Sequence, residues 1–179
     1  MYYTLLENKI FTIPNFLSDE ECKFYITNIK NKQKTVNFTS VSNFKNDKYI
    51  NENLSEYFYN KIVDTFDKEI IDKLKIIQPN NLIMTGMYEP DQQFGLHTDT
   101  GLYYNKSEKI KSRFTLLIYL NDDYEKGETS FYDDNFNHLL DVKPEKGKAL
   151  IFDIDMWHKG NNVVGNNKLW IGCELIGKF

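Results

Sequence analysis

From Leu82 onward the chain becomes a succession of short β-type runs, and this pattern constrains the fold more than any other feature. The runs are Leu82 to Tyr88, Phe114 to Leu120, Thr129 to Tyr132, Ala149 to Asp153 and Leu169 to Ile176. Turn-rich pieces such as Asn121-Asp122-Asp123 and Glu145-Lys146-Gly147 separate them, with Asn, Asp and Gly in the positions that turns demand. Ahead of them the period is helical. Ser18-Asp19-Glu20-Glu21 reads as a capping box, and Phe24, Tyr25 and Ile29 carry a helix to about Lys30. Leu54, Phe58, Ile62, Phe66, Ile70 and Leu74 recur every four residues, predicting one further amphipathic helix. Helices followed by many short strands predict an α+β domain with a sandwich or jelly-roll core.

With 179 residues and no internal repeat or low-complexity linker, a single domain 1–179 is expected. It divides into a helical N-terminal part at about 16–76 and a strand core at about 80–178. The net charge of −4 and the lack of a basic stripe argue against a nucleic-acid partner. No apolar stretch reaches the ~18 residues of a membrane span, and the first residues lack the basic and apolar regions of a signal peptide. A cytoplasmic location is therefore expected, with Cys22 and Cys173 as reduced thiols. Arg113 is the only arginine and Ala149 the only alanine. A lysine therefore says little about a preference for Lys over Arg.

The chemistry-bearing pattern is His97-Thr98-Asp99 with His158, which lies 61 residues on, after the apolar run Ala149-Leu150-Ile151-Phe152. In extended backbone, residues i and i+2 point to one face, so His97 and Asp99 can share a metal. A jelly-roll can bring His158 to the same ion. Two imidazoles and one carboxylate suit Fe(II) and leave three coordination positions open for other ligands. His138, in a polar stretch, is expected at the surface.

Around this pattern stand Tyr88, then Phe114-Thr115-Leu116-Leu117-Ile118-Tyr119-Leu120-Asn121, then Lys126-Gly127-Glu128-Thr129-Ser130-Phe131. They are followed by Val142-Lys143-Pro144-Glu145-Lys146-Gly147, His158 and Lys168. In this order the segments resemble the 2-oxoglutarate- and Fe(II)-dependent dioxygenases of the prolyl 4-hydroxylase type, over about residues 82–177. The opening Phe16-Leu17-Ser18-Asp19-Glu20-Glu21-Cys22 is similar to that group's N-terminal helix. The resemblance implies a double-stranded β-helix with the helices packed on one sheet. It implies iron held by His97, Asp99 and His158, and 2-oxoglutarate bound by Lys168, Tyr119 and Tyr88. It also implies O2 as oxidant, ascorbate as reductant, and hydroxylation of a C–H bond with release of succinate and CO2. Two positions depart from the family pattern, which commonly has Gly six and Tyr three residues before the first ligand. Here those are Asp91 and Phe94, and both bear on the pocket mouth.

The expected substrate is a prolyl or other amino-acid side chain of a peptide or protein, with Arg113, Tyr103 and Trp170 as its contacts. The alternatives are a free small molecule, or a jelly-roll module that binds metal without catalysis. Because imidazole must be neutral to bind metal, iron affinity is expected to weaken as pH falls toward ~6.5.

Overall fold

The computed structural model describes residues 1–30, 34–39 and 42–179, and side chains outside residues 30–43. Among these residues the chain forms sixteen strands and three helices. It opens with β1 (Tyr3–Leu6), β2 (Ile10–Ile13), α1 (Asp19–Lys30), β3 (Lys34–Thr39), β4 (Ser42–Ile50), α2 (Glu52–Thr65) and α3 (Lys68–Leu74). Next come β5 (Ile76–Pro79), β6 (Leu82–Tyr88), β7 (Gln93–His97), β8 (Tyr104–Asn105), β9 (Ile110–Tyr119), β10 (Glu125–Lys126) and β11 (Thr129–Tyr132). The chain closes with β12 (His138–Val142), β13 (Ala149–Asp153), β14 (Trp157–Gly160), β15 (Val163–Val164) and β16 (Lys168–Lys178). No helix among the described residues is long and apolar enough to cross a membrane.

The main sheet runs β1-β2-β13-β9-β16-β6-β4-β7-β14-β11-β12. β4 pairs with β6 through Lys45 to Ile50 and with β7 through Ser42 and Asn43. It therefore links the larger half of the jelly-roll to the smaller half, and a cavity opens between them.

Alternation along the central strands sets the two faces. In β9, Phe114, Leu116 and Ile118 are buried against the helices, while Thr115 and Leu117 line the cavity. In β16, Leu169, Ile171, Cys173 and Leu175 join the helix-facing core, while Lys168 and Trp170 face inward. Phe58 and Ile62 of α2 are fully buried against that outer face. Burying each such side chain stabilises the fold by about 1.5–3 kcal/mol. Where β9 and β16 press together, a Cβ on Gly172 would stand 1.9 Å from the Leu116 carbonyl oxygen, so only glycine fits there.

The capping box at α1 forms: the Ser18 N–H donates to Glu21 at 2.7 Å and the Glu21 N–H to Ser18 Oγ at 3.2 Å. The second expected helix is two. Backbone at Phe66 turns extended (ψ 143°), as does Asp67 (ψ 146°), and α3 begins after them. The break sets the Phe66 ring edge-on to Tyr2 at 4.6 Å and to Phe11 at 5.4 Å. The apolar stripe satisfies this arrangement as well as it would one straight helix.

The expected division into a helical part and a strand part is also corrected. β1 and β2 precede the helices, and β3 and β4 lie between α1 and α2. β2 is drawn into the sheet by its run of four buried residues pairing with β13. Residues 31–33, 40 and 41 of the expected helical part lie outside the described residues. Cys22 and Cys173 are both buried free thiols. His138 is exposed and faces Asp141 at 2.9 Å.

Candidate metal centre

His97 and His158 are direct cross-strand partners, since β7 pairs with β14 in that register. The ladder thus sets the two imidazoles side by side, with ring centroids 4.2 Å apart. Asp99 lies just past the end of β7, where its N–H donates to the Ile154 carbonyl at 3.1 Å. That bond fixes the Asp99 backbone just beyond the strand. Asp99 Oδ1 is 3.5 Å from His97 Nε2 and 3.8 Å from His158 Nε2. One ligand atom from each of the three residues lies within 4.8 Å of the others. The 3.5 and 3.8 Å spacings from the carboxylate oxygen to the two imidazoles fall within the reach of a single ion, whose bonds run about 2.0–2.2 Å.

Both imidazoles are oriented by their far nitrogens. His97 Nδ1 donates to the Gly95 carbonyl at 2.7 Å, and His158 Nδ1 to the Met156 carbonyl at 2.9 Å. This arrangement leaves each Nε2 lone pair aimed at the shared point, the usual way a ligating imidazole is held. Phe94 stacks on His97 at 3.7 Å, and Phe152 meets His158 edge-on at 4.6 Å.

Burial, only partly countered by Asp99, pushes His158 down to about 4. At this residue, proton competition therefore sets in well below the pH 6.5 expected of free imidazole, and the ring is neutral at pH 7. Burial would raise the Asp99 carboxyl, but bonds and charge from His97, His158 and Thr115 outweigh it and hold the group below its ordinary range. A neutral His158 and an ionised Asp99 are what a divalent cation requires.

The same cavity, about 350 Å³, reaches from these residues to Lys168. Lys168 is 2% exposed, and its Nζ donates to the Gly127 carbonyl at 2.6 Å. It sits 5.3 Å from the ring centres of both Tyr88 and Tyr119. No carboxylate of the described residues pairs with it. Burial pushes it down to about 7, with Glu128 pulling weakly the other way. Burial also raises both phenols, so they remain neutral hydroxyls. The Tyr119 hydroxyl is bonded to Thr129 Oγ1 at 2.7 Å.

The expected substrate contacts fare unequally. Trp170 lines the cavity, where its indole N–H is buried without a well-formed hydrogen bond, although it acts on the nearby Tyr88 hydroxyl. Arg113 does not face the cavity. The register of β9 and β16 shifts between Leu175 and Ile176, which pair with Phe114 and Ser112. Arg113 is thus the extra residue of a bulge, turned outward to donate to the Lys178 carbonyl at 2.8 Å. Tyr103 is also absent from this cavity. It lines a separate polar cavity with Glu52, Glu56 and Asn80, because its N–H is tied to Ser112 Oγ at 3.1 Å.

Sequence reasoning missed Thr115, whose hydroxyl donates to Asp99 Oδ2 at 2.6 Å. It also missed Glu174, a buried carboxylate that accepts from Ser112 Oγ, Asn80 Nδ2 and the Leu102 N–H. Glu174 fastens the segment following Asp99 onto the barrel. The inward face of β16 was readable from the position of Lys168, and Glu174 lies on it.

The model of the 2OG-Fe(II) oxygenase superfamily matches residues 83–173, half of the chain. This chain belongs to the 2OG-Fe(II) oxygenase superfamily. Within the superfamily it is similar to the probable prolyl 4-hydroxylase 3 of Arabidopsis thaliana. The two are 28% identical over 192 residues, covering 90% of this chain and 67% of that protein. The viral collagen prolyl hydroxylase of Paramecium Bursaria Chlorella virus-1, solved as a 2-oxoglutarate complex, has the same oxygenase fold. It has a TM-score of 0.66 at 22% identity, over 96% of this chain and 97% of that one. A Trichoplax adhaerens prolyl hydroxylase, solved with a hypoxia inducible factor peptide fragment, has a TM-score of 0.68 at 16% identity. That alignment covers 96% of this chain and 84% of the other oxygenase.

Proposed function

We propose that this oxygenase hydroxylates a prolyl or other amino-acid side chain of a peptide, with Fe(II) held by His97 Nε2, Asp99 Oδ1 and His158 Nε2. The donor set fits that ion: two imidazoles and one carboxylate converge, and the remaining positions face a cavity. Lys168 is the single observation that carries the reading. A buried ammonium without a carboxylate partner is costly unless a ligand supplies one. Here it stands in the cavity that holds the three metal-binding candidates. The far carboxylate of 2-oxoglutarate supplies that charge, while Tyr88 and Tyr119 flank the ammonium with ring centres 5.3 Å away. When bound, Fe(II) and 2-oxoglutarate supply oxidative decarboxylation to succinate and CO2, coupled to hydroxylation by O2. Ascorbate is proposed as the reductant that keeps the metal ferrous.

The chain's own residues bind, orient and exclude water. Phe94 packs against the His97 imidazole and Phe152 against that of His158. Trp170 lines the cavity wall, with its indole edge packed over Gly86. A peptide substrate is favoured by the similarity to a probable prolyl 4-hydroxylase over nearly the whole chain. It is tested by succinate release and a +16 Da (one oxygen) product shift, across proline peptides, other peptides and free amino acids. Coupled turnover on a peptide supports the assignment, and coupling only to free amino acids overturns it.

The lysine also sets a pH dependence. Free Lys168 loses its proton near pH 7, whereas binding a dicarboxylate holds the proton on. Affinity for 2-oxoglutarate is therefore present in full below pH 7 and falls about tenfold per unit above it, until the bound lysine itself titrates. Anaerobic titration of the metal-loaded protein from pH 6.5 to 9 measures this. A flat affinity would assign the carboxylate to another group.

A further inference from the structure

A carboxylate beside a metal can bind through one oxygen or both, and the choice determines how many positions remain for other ligands. Asp99 lies outside the β7 ladder, so strand pairing does not orient its carboxylate. The Ile154 carbonyl holds its backbone N–H, which leaves rotation of the carboxylate itself undetermined. Thr115 determines it. The Thr115 hydroxyl donates to Oδ2 at 2.6 Å, while Oδ1 is the atom turned toward both imidazoles. Thr115 is a firm anchor. It is 5% exposed, and its strand is paired on one side with Phe152 of β13 and on the other with Glu174 of β16. Its β-branched side chain has few rotamers to choose from.

We infer that Thr115 is a positioning residue that restricts Asp99 to one-oxygen ligation, and so keeps a coordination position free for 2-oxoglutarate. The inference rests on the metal-centre reading proposed above. Without the Thr115 hydroxyl, Oδ2 has lost its donor, and the metal is the cation within its reach. The carboxylate then turns to offer both oxygens, and the second competes with the incoming co-substrate.

The test compares the parent protein with Thr115→Val, which keeps the shape and removes the hydroxyl, and Thr115→Ser, which keeps the hydroxyl. Each is loaded with Co(II), and 2-oxoglutarate is titrated against the visible Co(II) absorption. Thr115→Val is expected to bind 2-oxoglutarate on the order of 10-fold or more weakly, the scale on which groups that orient a metal ligand act. Thr115→Ser is expected to stay within about threefold of the parent on that scale. A folded Thr115→Val that no longer retains Co(II) would also overturn the inference, because two-oxygen ligation would hold the ion more firmly instead of releasing it. An unchanged dissociation constant in Thr115→Val overturns the inference, even if both variants lose thermal stability, because packing alone would lower stability without moving the constant. Should valine cost the fold, Thr115→Ala makes the same comparison against serine. Failure of the parent protein to bind Co(II) would instead remove the metal-centre reading itself.

Discussion

Alanine at His97, Asp99 or His158 is expected to bring 2-oxoglutarate-dependent succinate formation to background, a loss on the order of 100-fold or more. Even a group that merely orients a metal ligand is worth about 10–100-fold, and a ligand itself contributes more. The three substitutions act through different structural routes. His158 is 7% exposed in its side chain and wedged against Phe131 and Phe152, so its loss also opens a void. Asp99 is more exposed, at 26%, and removing it leaves the Thr115 hydroxyl without its acceptor. His97 is held by its bond to Gly95 and its stack on Phe94. Near-parental turnover in any one of these variants would remove that residue from the metal's ligand set.

The second large effect is at Lys168. Removing one partner of a buried charge pair costs about 2–5 kcal/mol, which at 1.4 kcal/mol per decade corresponds to roughly 30- to several-thousand-fold. Lys168→Ala is accordingly expected to raise the KM for 2-oxoglutarate on the order of 100-fold while leaving the fold largely intact. Lys168→Met makes the cleaner comparison, because it fills the slot between Tyr88 and Tyr119 without the charge. Its stability is expected to match or exceed the parent's, since the ammonium is costly to bury when no ligand is bound. A parental KM in both variants would assign recognition of the far carboxylate elsewhere.

Legibility of this protein from its sequence follows from what each residue's role depends on. Metal ligation demands particular side chains, and strand alternation fixes their direction. His97, Asp99 and His158 could therefore be chosen before any coordinates, and the structure brings them together. Lys168 was expected from the family resemblance and Trp170 as a substrate contact, and both line the same cavity, two residues apart on one strand. Arg113 was not, because one bulge moves a residue from the inner face to the outer, and no local motif announces the register shift at Leu175. Tyr103 depended on which way an irregular segment was fastened, and the fastening group, Glu174, lies over seventy residues away in sequence. The break after α2 was invisible because apolar residues keep their four-residue spacing straight through Phe66. β4 was equally obscure. Its run Asn43-Phe44-Lys45-Asn46-Asp47-Lys48 is polar, and it is a strand because β6 and β7 flank it.

The central claim is that His97, Asp99 and His158 hold one ferrous ion with open positions that 2-oxoglutarate can occupy. Anaerobic addition of Fe(II), followed by 2-oxoglutarate, tests it most directly. A weak visible metal-to-ligand band is expected only when both are present, and it should vanish in His158→Ala. A band that survives that substitution, or none at all in the parent protein, would contradict the claim.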